Sequence, residues 1–119
     1  MQLEKLEILK KDYKEYSRSF DSLKAYLNEL EAKNVNVIAP NIISKRLQVP
    51  FSVAIHILGL AERINLLKKS YQVFSIGDNY SLGEYDDANN IPDSIYNPAT
   101  GNKVGKSEFF VDLVYHLNL

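Results

Sequence analysis

This 119-residue chain has few reactive side chains placed where they could work together. Its two histidines, His56 and His116, stand far apart. Neither has a neighbour at the short spacing that a metal site or a proton relay needs. Cysteine is absent, which removes disulfides and thiolate metal sites. Glu84, Asp86 and Asp87 gather carboxylates, but without the alternating oxygen ligands of a calcium loop, so they read as an acidic turn. The glycines at 59, 77, 83, 101 and 105 are scattered, and no glycine-rich loop can wrap a phosphate. Pro92-Asp93 with Lys103 has part of a nuclease motif, yet Gly101 stands where that chemistry requires a carboxylate. With no nucleophile–base pair in view, the expectation is a non-enzyme with no catalytic residues, no metal and no cofactor.

The chemistry that remains is recognition, and it concentrates between Ile38 and Phe74. Pro40 suits the first turn of a helix, where its missing N–H would be unpaired anyway. Ile42, Ile43 and Leu47 carry that helix to a break at Gln48-Val49-Pro50. A longer periodic stretch follows to Arg63, closing on Asn65 before the β-prone Tyr71-Gln72-Val73-Phe74. Ala54, Leu58 and Ala61 fall on the inward face of the longer helix. Pro50, Phe51, Ser52, Ile55, His56 and Gly59 fall on the outward face, with Glu62 and Arg63 further on.

These residues resemble the winged helix-turn-helix superfamily over about 20–74. The likeness rests on the spacing of Leu47 and Val49 before the turn, on Ala54, Leu58 and Ala61, and on Asn65-Leu66-Leu67, where the family has Gly-Leu-Leu or Gly-Leu-Ile. Asparagine suits that slot because it tolerates the left-handed conformation at a helix end. The resemblance implies that 51–63 is the helix that would enter a DNA groove. Base edges are read by hydrogen bonds, and only Ser52 and His56 could supply them. Phe51 and Ile55 are apolar, so Phe51, Ser52, Ile55, His56 and Gly59 are expected to bind a protein partner. The alternative is a dimeric DNA-binding transcriptional regulator, with phosphate contacts from Lys45, Arg46, Arg63, Lys68 and Lys69.

Charge bears on that choice. Residues 1–71 hold 12 Lys/Arg against 8 Asp/Glu, whereas residues 72–119 hold 2 against 7. Between 72 and 102 there is no Lys or Arg at all. A wing lying on phosphate should neutralise charge, and this one would repel it.

Upstream, residues 1–33 lack glycine and proline and read as helix. Leu6, Leu9, Tyr13, Tyr16, Phe20, Leu23, Leu27 and Leu30 repeat with the three-four spacing of a coiled-coil seam. One helix of that length would span roughly 50 Å, too long to bury its stripe on a small domain. Either its first half pairs with a second copy, or the chain breaks at Ser17-Arg18-Ser19, where a serine or Asp21 caps a helix starting near Phe20. The stripe is then either core, with Leu3 to Tyr16 folding back, or an interface, in which Leu6, Leu9, Tyr13 and Tyr16 are the expected homodimer contacts. Downstream, the linker 32–39 has room for a very short strand at Val35 and Val37, of the kind that pairs with a wing.

From Phe74 onward the chain reads as strands and turns, with turn clusters at 77–79, 86–90, 92–93 and 97–102. Phe109–Leu117 reads as a closing strand with Phe109, Val111, Leu113, Tyr115 and Leu117 on its apolar side. Ser75-x2-Asp78, 18 residues, then Asn97-x2-Thr100-Gly101 has the spacing of a four-cysteine zinc ribbon. Tyr96-Asn97-Pro98-Ala99-Thr100-Gly101 resembles a Cys-Pro-x-Cys-Gly knuckle with its cysteines replaced. No slot holds Cys or His, so zinc is not expected.

The whole is expected to be α+β: an N-terminal helix at 1–18, a winged helix-turn-helix core at 19–74 and an acidic β-rich lobe at 75–119. No apolar run is long enough to span a membrane, and the charged N-terminus has no signal core, so the expected location is cytoplasmic. Small cysteine-free chains of this combination resemble accessory parts of bacterial multi-component systems, including defence systems.

Overall fold

A computed structural model describes residues 3–118. The fold is α+β, with helices first and antiparallel strands after them. The described chain forms two compact units. One holds the residues up to Lys68 together with those from Tyr115 onward, and the other holds Lys69–Val114.

The helical unit begins with α1 (Lys5–Asp12) and α2 (Ser17–Ala32), joined by a single 3-10 turn at Lys14–Tyr16. The seam-like stripe is therefore broken, and it is spent inside the chain. Tyr13 leaves helical geometry (φ −127°, ψ 69°), which lets α1 pack against α2 and against α4 (Phe51–Arg63). Leu6 is sealed completely and Leu9 is only 4% exposed, while Phe20, Leu23 and Leu27 are wholly buried. This corrects the expectation that Leu6 and Leu9 face a second copy, because their surfaces are already covered by their own chain. The expected serine or Asp21 cap is also absent. Tyr16 stands at the N-cap of α2 with no side-chain bond, and Asp21 instead accepts a 2.7 Å ion pair from Lys10 across the two helices. That hydrogen bond holds the Lys10 ammonium above its ordinary pKa.

A shared device ends three helices. Asn34, Gln48 and Asn65 each adopt positive φ (56°, 54° and 61°). The following amides then reach back, Val35 to the Leu30 carbonyl, Val49 to that of Ser44 and Leu66 to that of Ala61. These are Schellman closures, which satisfy carbonyls that a helix end would leave unpaired. The expectation for Asn65 holds; Gln48 does the same with a side chain less suited to it.

α3 (Pro40–Leu47) carries its proline in the first turn and is joined to α4 by Gln48-Val49-Pro50. Ile43, Ala54, Ile57, Leu58 and Ala61 are fully buried where these helices meet the rest of the unit. The short strand does form, as β1 (Val37–Ile38), but it pairs with the closing strand: Val37 opposite His116 and Ile38 opposite Tyr115.

The remaining strands are β2 (Leu67–Ser75), β3 (Ser81–Tyr85), β4 (Ser94–Asn97), β5 (Asn102–Gly105) and β6 (Phe109–Leu117). The larger sheet has the order β1-β6-β2-β3, and β4-β5 forms a separate hairpin. Closing strand β6 departs from simple alternation. Val111 is 42% exposed, while Val114, assigned to the mixed face, is only 5% exposed alongside buried Tyr115 and Leu117. The C-terminal end of the strand is thus covered on both faces, which a two-residue period does not anticipate.

Candidate functional site

In each unit a concavity lies beside side chains able to recognise a partner. In the helical unit it is the outward face of α4. Because α4 turns Ala54, Ile57, Leu58 and Ala61 inward, its period of 3.6 residues puts Phe51, Ser52, Ile55, His56 and Gly59 outward. Phe51 is 54% exposed, and Ser52 and His56 are exposed as well. A groove of about 330 Å³ runs along this face, lined by Ile55, His56, Gly59, Leu60, Glu62 and Arg63.

The structure adds two residues to this surface that the sequence had assigned elsewhere. Tyr13 and Tyr16, read as dimer contacts, lie edge-on to the His56 ring with centroids 6.4 Å and 5.7 Å away. Both are half-buried. The turn that breaks α1 from α2 thus delivers two tyrosines to the imidazole of α4. What had been two separate expectations, a dimer stripe and a partner face, meet at His56.

Gly59 shapes the groove. It sits inside α4, and a Cβ built there would meet no heavy atom within 4 Å. Nothing packs closely enough to require glycine, and the open space beside it belongs to the groove.

The cations expected at phosphate are not equivalent. Lys45, Arg63 and Lys68 are exposed in the helical unit. Arg46 is engaged: its guanidinium is 2.6 Å from Glu29 and lies 4.6 Å over the Tyr26 ring. Lys69, the first residue of the β unit, has its ammonium 5.9 Å from the Tyr71 ring.

In the β unit, the four positions with zinc-ribbon spacing do converge. Ser75 ends β2, Asp78 lies in the turn leading to β3, Asn97 ends β4, and Thr100 lies in the turn leading to β5. The Asn97 amide donates to Asp78 Oδ2 at 3.4 Å, and Asp78 Oδ1 accepts from the Tyr80 amide at 3.2 Å. In the same turn the Ser75 carbonyl accepts from the Asn79 amide at 2.8 Å. The backbone bond from Tyr80, with those from Ser75 and Asn97, holds the Asp78 carboxyl below its ordinary pKa. Asn97 is fully buried and Ser75 is 7% exposed. A hollow of about 390 Å³ opens beside them, bordered by Ser75, Asn97, Thr100 and Lys103 among others.

This donor set does not fit zinc. Zinc sites are built from thiolate, imidazole and carboxylate, and only one such group is present, its oxygens already accepting hydrogen bonds. Asn97 turns an N–H toward Asp78, not a lone pair toward a shared centre. Among the described residues no group of three or more His, Cys, Asp or Glu is placed to hold a metal ion.

No family model, curated protein or solved structure matches this chain. Among the described residues no helix is long and apolar enough to cross a membrane.

Proposed function

We propose that this protein is a small non-enzymatic adaptor, cytoplasmic, that uses a winged helix-turn-helix scaffold to bind a protein partner through the outward face of α4. The observation that carries the reading is Phe51, a large aromatic side chain 54% exposed at the start of α4, on the helix face that also opens the His56–Gly59 groove. An exposed aromatic beside a shaped concavity, edged by Glu62 and Arg63, has the composition of a binding hot spot with a polar rim. Tyr13 and Tyr16 extend its aromatic content around His56.

A DNA reader would place hydrogen-bonding side chains where Phe51 and Ile55 stand. Arg46, in the last turn of α3, is paired with Glu29 and lies over the Tyr26 ring.

Phe51→Asp tests the proposal. The variant should keep the wild-type circular dichroism, because an exposed side chain contributes little to folding, and should lose the partner that wild-type protein retains from extracts of its source cells. Mixed-sequence DNA at low salt should run unshifted with micromolar protein. A mobility shift abolished by Lys45→Ala with Arg46→Ala, and unaffected by Phe51→Asp, would replace the adaptor by the DNA-binding regulator.

A further inference from the structure

We propose that the open edge of β1 is a self-association site, where a second copy of this chain adds its own β1 in antiparallel register about Val37. β1 is the terminal strand of the larger sheet, paired with β6 on one side. That pairing fixes which backbone groups remain on the other. Leu117 donates its amide to the Asn36 carbonyl, and Val37 lies opposite His116. Hydrogen-bonded and non-bonded pairs alternate along an antiparallel ladder. Asn36 and Ile38 therefore bond toward β6, and Val37 turns its N–H and C=O toward the free edge. Residues 33–37 are all exposed, so these groups are open to water.

The residues on either side of Val37 make the edge complementary to itself. The Val35 amide is spent on the Leu30 carbonyl, and the Ala39 carbonyl on the Ile42 and Ile43 amides. Among the described residues the Val35 carbonyl and the Ala39 amide have no partner. Ala39 is still extended, at φ −93° and ψ 131°. When Val37 of one copy stands opposite Val37 of the other, residue 35 of each stands opposite residue 39 of its partner. Every open donor then meets an open acceptor: Val37 to Val37 in both directions, and Ala39 to Val35 in both directions. The groups already spent fall opposite one another and need nothing.

Side chains and charge favour the same occupant. Val35 and Val37 share one face of the strand and are 42% and 44% exposed, so pairing would shelter both. Residues 34–39 carry no charge, and two copies can meet without like-charge repulsion. They also contain neither the lysine nor the proline that commonly blunts a sheet edge. A foreign strand would match this pattern of open and spent groups only by chance, whereas a second copy matches it by two-fold symmetry. The site shares no residue with the α4 face and does not depend on what binds there.

Because the chain has no cysteine, single thiols report the register. Val37→Cys and Val35→Cys, each in the full-length chain, place thiols at nearly equal exposure. In a pair centred on Val37 the two 37 positions have Cα atoms about 5.5 Å apart, within disulfide reach. The two 35 positions are separated by four residues of strand, roughly 13 Å. Under mild oxidation Val37→Cys should form a disulfide-linked dimer on non-reducing electrophoresis, and Val35→Cys should stay monomeric. Wild-type protein should sediment as a dimer that dissociates on dilution. Val37→Pro removes the outward N–H and leaves the bonds to β6, so it should lose the dimer with its circular dichroism unchanged. Should that variant unfold, Val37→Lys, which keeps the N–H and sets charge against charge, should give the same loss. Equal crosslinking of the two thiol variants, crosslinking of neither, or wild-type protein monomeric at every concentration overturns the proposal. A dimer lost in Phe51→Asp but kept in Val37→Lys also overturns it, and moves self-association to α4.

Discussion

Among the described residues of the helical unit, the side chains shut away from water, with Leu6, Phe20, Leu23, Leu27, Ile43, Ile57 and Leu58 among them, are hydrocarbon apart from the Tyr115 phenol. In the β unit they are Val73, Val104 and Val114 and, beside them, Ser70, Ser75 and Asn97. Ser70 donates 2.6 Å to Glu84 across the β2–β3 hairpin, and Asn97 spans the two turns. Phe74 stacks on Phe110 with ring centroids 5.3 Å apart, where Phe110 remains 38% exposed. One unit keeps its shape chiefly through the hydrophobic effect, which is non-directional and scales with area. The other depends on a few directional hydrogen bonds in places where leaving them unmade would be expensive. The former tolerates swaps of similar volume; the latter should be sensitive to single atoms.

The largest effect should come from opening the helical core. Phe20→Ala removes a wholly buried ring and should cost about 3–5 kcal/mol in urea unfolding followed by the helical dichroism signal. A loss below about 1 kcal/mol would mean that the site collapses around the cavity or that Phe20 is not sealed, and the contrast between the units would weaken.

Asn97→Ala asks the same of the β unit with far fewer atoms. It leaves the Ala99 amide and the Asp78 carboxylate without their shared partner, at a cost of about 1–3 kcal/mol. Asn97→Asp retains the acceptor for Ala99 but sets a second carboxylate beside Asp78, so it should not rescue. Equal stability of Asn97→Ala and wild type would show that water satisfies the junction as well as the asparagine does.

The contrast also accounts for what could be read from residue order. The turns themselves were legible because their signal is local, being rich in Asn, Asp, Gly and Pro, but the Asp78–Asn97 hydrogen bond between them was not, because spacing carries no mark of it. Asn65 was legible for the same reason, since a left-handed helix end favours a particular residue. Gln48 was not, because glutamine carries no such preference and takes the conformation under pressure from the packing of α3 and α4. Leu6 and Leu9 were ambiguous. A three-four apolar stripe looks the same whether its partner is a second copy or the chain's own α2 and α4, and only the break at Tyr13 distinguishes the two. The pairing of Val37–Ile38 with Tyr115–His116 joins segments separated by most of the intervening chain, and neither segment carries a mark of the other. The α4 face was legible as a helical surface, but its groove was not, because a concavity is made of what is missing.

That missing material supplies the smallest and most discriminating measurement. Gly59 lies inside α4, where glycine costs conformational entropy relative to alanine, and an added Cβ would touch nothing within 4 Å. Gly59→Ala should therefore stabilise the free protein by about 0.5–1 kcal/mol, visible as a higher urea midpoint. Alanine would favour the helix more at this position, so the glycine gives up stability and leaves the groove open. If the groove receives a partner, the same substitution should weaken partner retention while strengthening the fold, and the two readouts should move in opposite directions. Loss of stability on adding the methyl group would mean that the groove is narrower than its geometry implies, and Gly59 would then be a packing residue with no bearing on recognition.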